Sequence, residues 1–356
     1  MAVEINKALT EVFNARNIAA FYDTMQEDVE PYLGETLFPP RKIVGLDIKY
    51  VKGKAGAPVV LRPAAFDTSA PIRTRIPFQT ITNEMAFWRE SMVLGERERQ
   101  DLMKAVAQAD PFMDAMLANI YNDAFHLMLG ANAAVERMRM KLLSTGTIQF
   151  TADGVPYDYA YGFDQAKQSI TLTDGNAWDQ SDTADPLTDI DTAMRKAKMS
   201  SARVLITADT FRKICACKSV RLAMYPQPPG VLPPPVPPTH VLAYFATNWR
   251  ITFVIIEEEP NTFRERVGGA DMKMFPDGVA TLIPADGVMG DSFYGTTPEE
   301  ADLMLSGVTN VQIVGAGIAV ATYVTPVAPI QLSTTVSQIA LPSCERIDRM
   351  YIINAY

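Results

Sequence analysis

One stretch constrains the fold of this 356-residue chain more than any other. Asp110-Pro111 reads as a helix start, with Asp at the N-cap and Pro at the first helical position, where its missing N–H costs nothing. Apolar residues then recur at Met113, Met116, Leu117, Ile120, Ala124, Leu127, Ala131, Ala134, Val135, Met138 and Leu142, until Ser144-Thr145-Gly146 stops the pattern. The spacing predicts a helix over 111–144, about nine turns and roughly 50 Å long. An amphipathic helix of that length needs something laid along its apolar face. It reads as a spine beneath a sheet, preceded by a shorter helix near 96–108.

The segments before the spine have no core of their own. Residues 1–36 scatter Leu9, Val12, Phe13, Ile18, Phe21 and Tyr22 among acids, enough for a short helix but not for an independent fold. This arm is expected to lie on its own chain or on a neighbour. Residues 43–51 read as a strand apart from Gly45, followed by a turn at 52–58. A return segment starts at Val59, is interrupted by Pro63, Pro71 and Pro77, and alternates polar with apolar again over 73–81. The result is a long β excursion with a polar tip, and an isolated hairpin of this kind is marginal in water.

After the spine, strands and helices alternate. Residues 147–150 and 155–162 predict a hairpin, 185–198 a capped helix with acids first and bases last, and 204–207 a buried strand. Asp209 is expected to cap a helix running to Met224, and further strands are expected at 252–256, 280–283 and 350–353. The fold class is α+β without a repeat. Between these elements, residues 226–238 hold eight prolines, which dictates extended, polyproline-like backbone. That segment reads either as a stiff loop at a domain edge or as a ligand for a proline-binding module.

Chemistry-bearing patterns are missing. Gly53-Lys-Ala-Gly56 lacks the spacing of a phosphate loop, and Gly290-Asp-Ser-Phe-Tyr-Gly295 has one residue too many for a nucleophile elbow. Of two histidines, His126 sits among apolar neighbours in the spine and reads as a core or interface residue, and His240 as a surface one. Cys215-x-Cys217 has no second pair at zinc spacing and reads as structural. The acids Asp182, Asp185, Asp189 and Asp191 lack a calcium-loop pattern and suit a helix N-terminus. Glu257-Glu-Glu259 reads as a solvated strand edge. No catalytic residue, cofactor or metal is expected. A formal charge of −9 argues against a reader of DNA sequence. Residues 1–30 carry six acids and no apolar run behind a basic start, so no secretory signal is expected, and no stretch reads as a membrane span.

Arm, excursion, spine, α+β lobe and returning C-terminal strands, in that order, resemble the major capsid protein of tailed bacteriophages. Within that group the chain is similar to the lambda-type major capsid family. The likeness rests on Thr36-Leu-Phe-Pro-Pro-Arg-Lys-Ile43 leading into the loop, and on Ile76-Pro-Phe78 with Glu84-Met-Ala-Phe-Trp-Arg-Glu90 leaving it. It rests also on Thr334-Thr-Val-Ser-Gln-Ile-Ala-Leu-Pro-Ser343 and Asp348-Arg-Met-Tyr-Ile-Ile353 near the C-terminus.

The resemblance implies an HK97-type capsid fold with an N-terminal arm (1–37) and an extended β loop (38–90). A peripheral domain (91–165 and 305–340) would hold the spine, and an axial domain (166–304 and 341–356) would face the capsomer centre. It implies a structural, non-catalytic subunit of hexamers and pentamers in an icosahedral prohead, a virion component assembled in the host cytoplasm. Double-stranded DNA would be enclosed without sequence-specific binding. Expected partners are further copies of the chain, a separate scaffolding protein, a portal and a decoration protein, with no membrane. The alternatives are an encapsulin-like container of the same fold and an α+β enzyme with an unrecognised site. The candidate inter-subunit residues are Lys49, Lys52, Lys54, Arg73 and Arg75, which either meet a neighbour's acidic patches or are ordinary solvated charges. Phe87 and Trp88 are expected to anchor the loop base by burying aromatic area.

Overall fold

The computed structural model describes residues 14–26, 29–52, 79–108, 113–152, 155–228, 231, 233–306, 310–324 and 331–356. The spine helix runs Met113–Thr145, and the shorter helix before it spans Glu96–Gln108. Of the apolar positions read from the sequence, Ala124, Leu127, Val135, Met138 and Leu142 are buried. The expected cap at Asp110-Pro111 lies outside the described residues.

A six-stranded sheet lies along the spine. It contains β1 (Pro40–Lys42), β4 (Ala86–Leu94), β13 (Ser292–Tyr294), β14 (Val311–Val314), β15 (Ile318–Val324) and β16 (Leu332–Pro342). The 11-residue β16 is its centre. One edge of β16 pairs with β15, and the other pairs first with β4 and then with β13, all antiparallel. Side chains alternate across a strand, so β16 serves two layers. Val336 joins the cluster containing spine residues Ala124, Leu127 and Met128, while Ser337 on the opposite face reaches Glu299 of the helix Pro298–Ser306.

The excursion itself is β2 (Asp47–Lys52) paired antiparallel with β3 (Gln79–Glu84). After the spine, β5 (Thr147–Ala152) and β6 (Val155–Ala160) form the expected hairpin. A second sheet of five strands contains β7 (Ser169–Thr171), β8 (Ala202–Thr207), β9 (Ile251–Ile256), β12 (Val279–Pro284) and β17 (Tyr351–Asn354). Its order is β7-β17-β12-β8-β9, and between β9 and β12 the short strands β10 (Thr262–Phe263) and β11 (Met272–Lys273) pair antiparallel with each other. One face packs on the spine's C-terminal end, where Thr281 donates its hydroxyl to the Leu143 carbonyl at 2.8 Å. The other carries the helices Pro186–Lys196, Ala208–Ala216, Lys218–Met224 and Pro238–Trp249.

Several expectations are corrected. The strand read over 43–51 begins only at Asp47, because Gly45 takes φ 106°, a left-handed conformation that ends an extended run, and β1 before it has already ended at Lys42. The single helix over 209–224 is two, because Cys217 is extended (φ −63°, ψ 134°), and the N-cap is Thr207 instead of Asp209. His126 is exposed in the subunit, which removes the core reading and leaves the interface one. Within residues 166–304, β13 hydrogen-bonds to β16 and β1 in the six-stranded sheet, while β7, β8, β9 and β12 belong to the five-stranded one. The proline segment ends by starting a helix, with Pro237 as N-cap and Pro238 at its first position. No helix among the described residues is long and apolar enough to cross a membrane.

Candidate assembly surface

The described part of the arm, from residue 14, lies on its own chain. Its helix Ala15–Gln26 buries Ile18 and Tyr22 against spine residues Ala124, Phe125 and Met128 and against Val314, Ile318 and Val320 of the sheet. Phe21 and Tyr22 sit 6.3 and 5.7 Å from the Phe125 ring, and Asn132 donates to the Tyr22 hydroxyl at 2.7 Å. A short helix, Leu33–Leu37, follows and is fixed by a buried pair. Arg139 and Glu136 lie 3.1 Å apart, one turn apart on the spine, with side chains 3% and 2% exposed. Arg139 also donates to Ser292 at 2.9 Å and to the Tyr294 hydroxyl at 3.3 Å. Burial pushes the Glu136 carboxyl above its ordinary range, opposed by Arg139 and the Gly34 amide. A buried pair is tolerated only when its other valences are filled, and here arm and β13 fill them.

The root of the excursion is where the sequence placed its anchors. Trp88 is half-buried and stacks on Phe150 with ring centroids 5.0 Å apart, and Phe150 stacks in turn on Tyr157 at 4.9 Å. This ladder joins β4 to the β5–β6 hairpin. Burial pushes the neighbouring Tyr159 hydroxyl up to about 12. Phe87 does not share the anchoring role. It points to the other face of β4 and is 41% exposed, with the Arg89 guanidinium over its ring at 5.3 Å. Lys49 is exposed on β2 and Lys52 closes that strand. Lys54, Arg73 and Arg75 lie outside the described residues.

Four charged residues at this root were not singled out from sequence. Lys42, at the end of β1, donates to Glu300 at 2.5 Å and to the Gly295 carbonyl at 2.9 Å. Arg89 of β4 pairs with Glu299, which also accepts from Ser337 at 2.6 Å. Glu299 and Glu300 are 3% and 5% exposed. Thr297-Pro298-Glu299-Glu300 is a legible helix start, and the Glu300 amide does donate to the Thr297 hydroxyl at 3.2 Å. Acids in a first helical turn are explained by the macrodipole alone, so nothing in the sequence pointed to cations more than 200 residues away.

Elsewhere, a small charged cleft lies where β8 and β9 end. Lys273 there meets Asp277 at 2.8 Å, Glu258 at 3.6 Å and Asp209 at 3.9 Å, and Asp277 accepts from Thr207 at 2.6 Å. Arg212 pairs with Asp209 at 2.7 Å, so two bases, Arg212 and Lys273, face four acids, Asp209, Glu257, Glu258 and Asp277. Cys215, Cys217 and Cys344 are buried and form no disulfide. Burial pushes the first two thiols up to about 11 and about 12, so neither is a thiolate near neutral pH. Asp185 caps its helix and Asp189 accepts from the Trp178 indole, so the acids read from sequence serve that helix end. Among the described residues no group of three or more His, Cys, Asp or Glu is placed to hold a metal.

Comparison with known proteins places this geometry. The family model described as phage major capsid protein E matches residues 14–354. No curated protein sequence matches the chain. A capsid protein of a prophage from E. coli CFT073 superposes with a TM-score of 0.61 at 13% identity, covering 97% of this chain and 99% of that one. A phage-related protein from Bordetella bronchiseptica RB50 gives 0.51 at 11% identity, covering 94% and 96%. At these identities the structures establish the shared fold.

Proposed function

The chain belongs to the phage major capsid protein E family, and from that premise we propose that it is the major head subunit of a tailed phage, forming hexamers and pentamers of an icosahedral prohead. The fold is HK97-type, the role is structural and capsid-forming, and the protein is a virion component built into a shell of many copies. The finer assignments are ours. In this reading the β2–β3 excursion is the extended loop that overlies an adjacent subunit. The six-stranded sheet with the spine is the peripheral domain, and the five-stranded sheet with its helices is the axial domain facing the capsomer centre. The subunit performs no catalysis. Scaffolding, portal and decoration proteins are its partners, assembly occurs in the host cytoplasm, and DNA is enclosed without sequence readout.

The observation that carries the reading is a match over 14–354, together with an excursion whose described strands, β2 and β3, form a two-stranded sheet of their own. Two strands alone bury too little to be stable, so this element is suited to a partner surface. The net charge of −9 fits a wall that should not hold its genome tightly. On the excursion, Lys49, Lys52, Lys54, Arg73 and Arg75 supply positive charge for a neighbour's acidic patches, and exposed Phe87 supplies apolar contact. The test is negative-stain electron microscopy with sedimentation velocity, on the protein alone and co-expressed with its genomic neighbours. Closed shells, five- or six-membered rings or tubes are expected. A monodisperse monomer or dimer under every condition, scaffold included, overturns the reading.

A further inference from the structure

We propose that Glu299 and Glu300 form a clamp that sets the direction in which the β2–β3 excursion leaves the body. The inference rests on the capsid reading for its purpose but not for its geometry. The excursion has two legs. The outgoing leg is β1, and the returning leg is β4. Each leg is held by one cation, Lys42 and Arg89 respectively, and both cations end on adjacent carboxylates of a single helical turn. The carboxylates are buried while the Lys42 and Arg89 side chains are 36% and 48% exposed, so the acids are the fixed points and the cations are the moving arms.

The outgoing leg is also held by Arg41, which pairs with Asp291 at 3.2 Å and lies over the Phe293 ring at 5.5 Å, and by the Ile43 amide, which donates to the Tyr294 carbonyl at 2.8 Å. β1 pairs with β13 over only three residues. Between β1 and β2 the chain turns through Gly45 with the Val44 and Leu46 side chains exposed, and the Leu46 carbonyl accepts from the Met85 amide at 2.8 Å. The returning leg carries an unmet donor and acceptor. Trp88 and Gln338 are directly opposed in the β4–β16 register. The Trp88 indole N–H and the Gln338 carbonyl oxygen, a donor and an acceptor, are both buried without a partner. Opposed side chains on neighbouring strands stand about 5 Å apart at Cβ, so a small shift of β4 brings these two within bonding reach. Buried polar atoms left unpaired are costly, which favours that shift once the clamp is released. A clamp that holds one seating while leaving another available lets a single sequence present its loop at more than one angle, as copies in different positions of a closed shell require.

The experiment uses the full chain at concentrations where sedimentation shows unassembled subunits. Its own thiols at Cys215, Cys217 and Cys344 are buried. Spin labels at Lys49→Cys on the excursion and Lys198→Cys on the body therefore report one distance by pulsed electron resonance. The unmodified clamp gives a single narrow distance peak. E299Q with E300Q is expected to lose that peak, with far-UV circular dichroism unchanged, and the charge swap K42E with E300K to restore it in the E299-intact background. Should the double variant not fold, K42Q with R89Q opens the clamp from its exposed side. A peak that stays narrow in the opened variants overturns the proposal, and so does a broadened peak that the swap fails to restore. Failure to build shells, by contrast, is read on assembled material and bears on the capsid reading alone.

Discussion

The Gly34 amide donates to the Glu136 carboxylate at 2.8 Å, and this bond ties the arm to the middle of the spine. The approach is close enough that a Cβ at residue 34 would stand 2.5 Å from Glu136 Oε2 and 2.8 Å from Arg139 Cδ. Both neighbours belong to the buried pair and have little room to retreat. Gly34→Ala is therefore expected to destabilise the subunit by about 1–3 kcal/mol through overpacking. The check is a denaturant midpoint combined with protease cleavage after residue 30. Unchanged stability with an uncut arm would show that the pair yields easily.

Removing residues 1–30 tests the arm from the other side. The helix Ala15–Gln26 covers Phe125, Met128, Val314 and Val320, so its loss opens apolar surface on the spine and sheet. The truncated chain is expected to bind a hydrophobic dye strongly and to lose soluble yield as well as shell formation. Normal shells from the truncation would remove the arm from the assembly mechanism.

The two aromatics at the loop root should separate. Trp88→Ala breaks the stack on Phe150 and costs about 2–4 kcal/mol, near the lower end for a buried Trp because the side chain is only half-buried. Phe87→Ala removes an exposed ring and should change subunit stability by less than about 0.5 kcal/mol. Thermal unfolding distinguishes them, and electron microscopy then asks whether Phe87→Ala still weakens assembly. Equal stability losses would place both rings in the core of the subunit.

The cysteines give a pH prediction. Both Cys215 and Cys217 have folded-state values raised above the ordinary 9.0, to about 11 and about 12, through burial. An acid whose value is raised on folding holds its proton longer in the native state. Its contribution to stability is then complete below about pH 9 and is lost as pH rises toward the folded value. At pH 8 a thiol reagent should leave both untouched in the native protein and modify them on unfolding. Stability should fall above about pH 9, less steeply in Cys217→Ala. Rapid labelling of the native protein at pH 8 would refute the burial argument.

The elements most legible in the sequence were those governed by local chemistry. The spine, the helix Glu96–Gln108 and the helix begun by Asp185-Pro186 follow from apolar spacing and capping, forces that act within a few residues. Trp88 was legible as an anchor because its size demands burial, but its neighbour Phe87 was not separable from it. Alternation assigns adjacent residues to opposite faces without saying which face is covered. The break at Cys217 and the turn at Gly45 escaped because packing, not propensity, selected the backbone there.

By itself the sequence determined a long spine with a sheet along it, an α+β lobe, an excursion with no core and a chain with no catalytic pattern. Its ordered segments also carried the likeness to the capsid family that the match over 14–354 establishes. Only the tertiary structure decided where the arm lies, which strand edge β4 and β13 share, and that Lys42 and Arg89 end on neighbouring carboxylates. The reason is range. Capping and periodicity are written in adjacent residues, whereas a salt bridge between β1 and a helix some 250 residues later is a product of chain topology. No local property of Lys42 or Glu300 distinguishes it from other surface charges until the fold brings the two together.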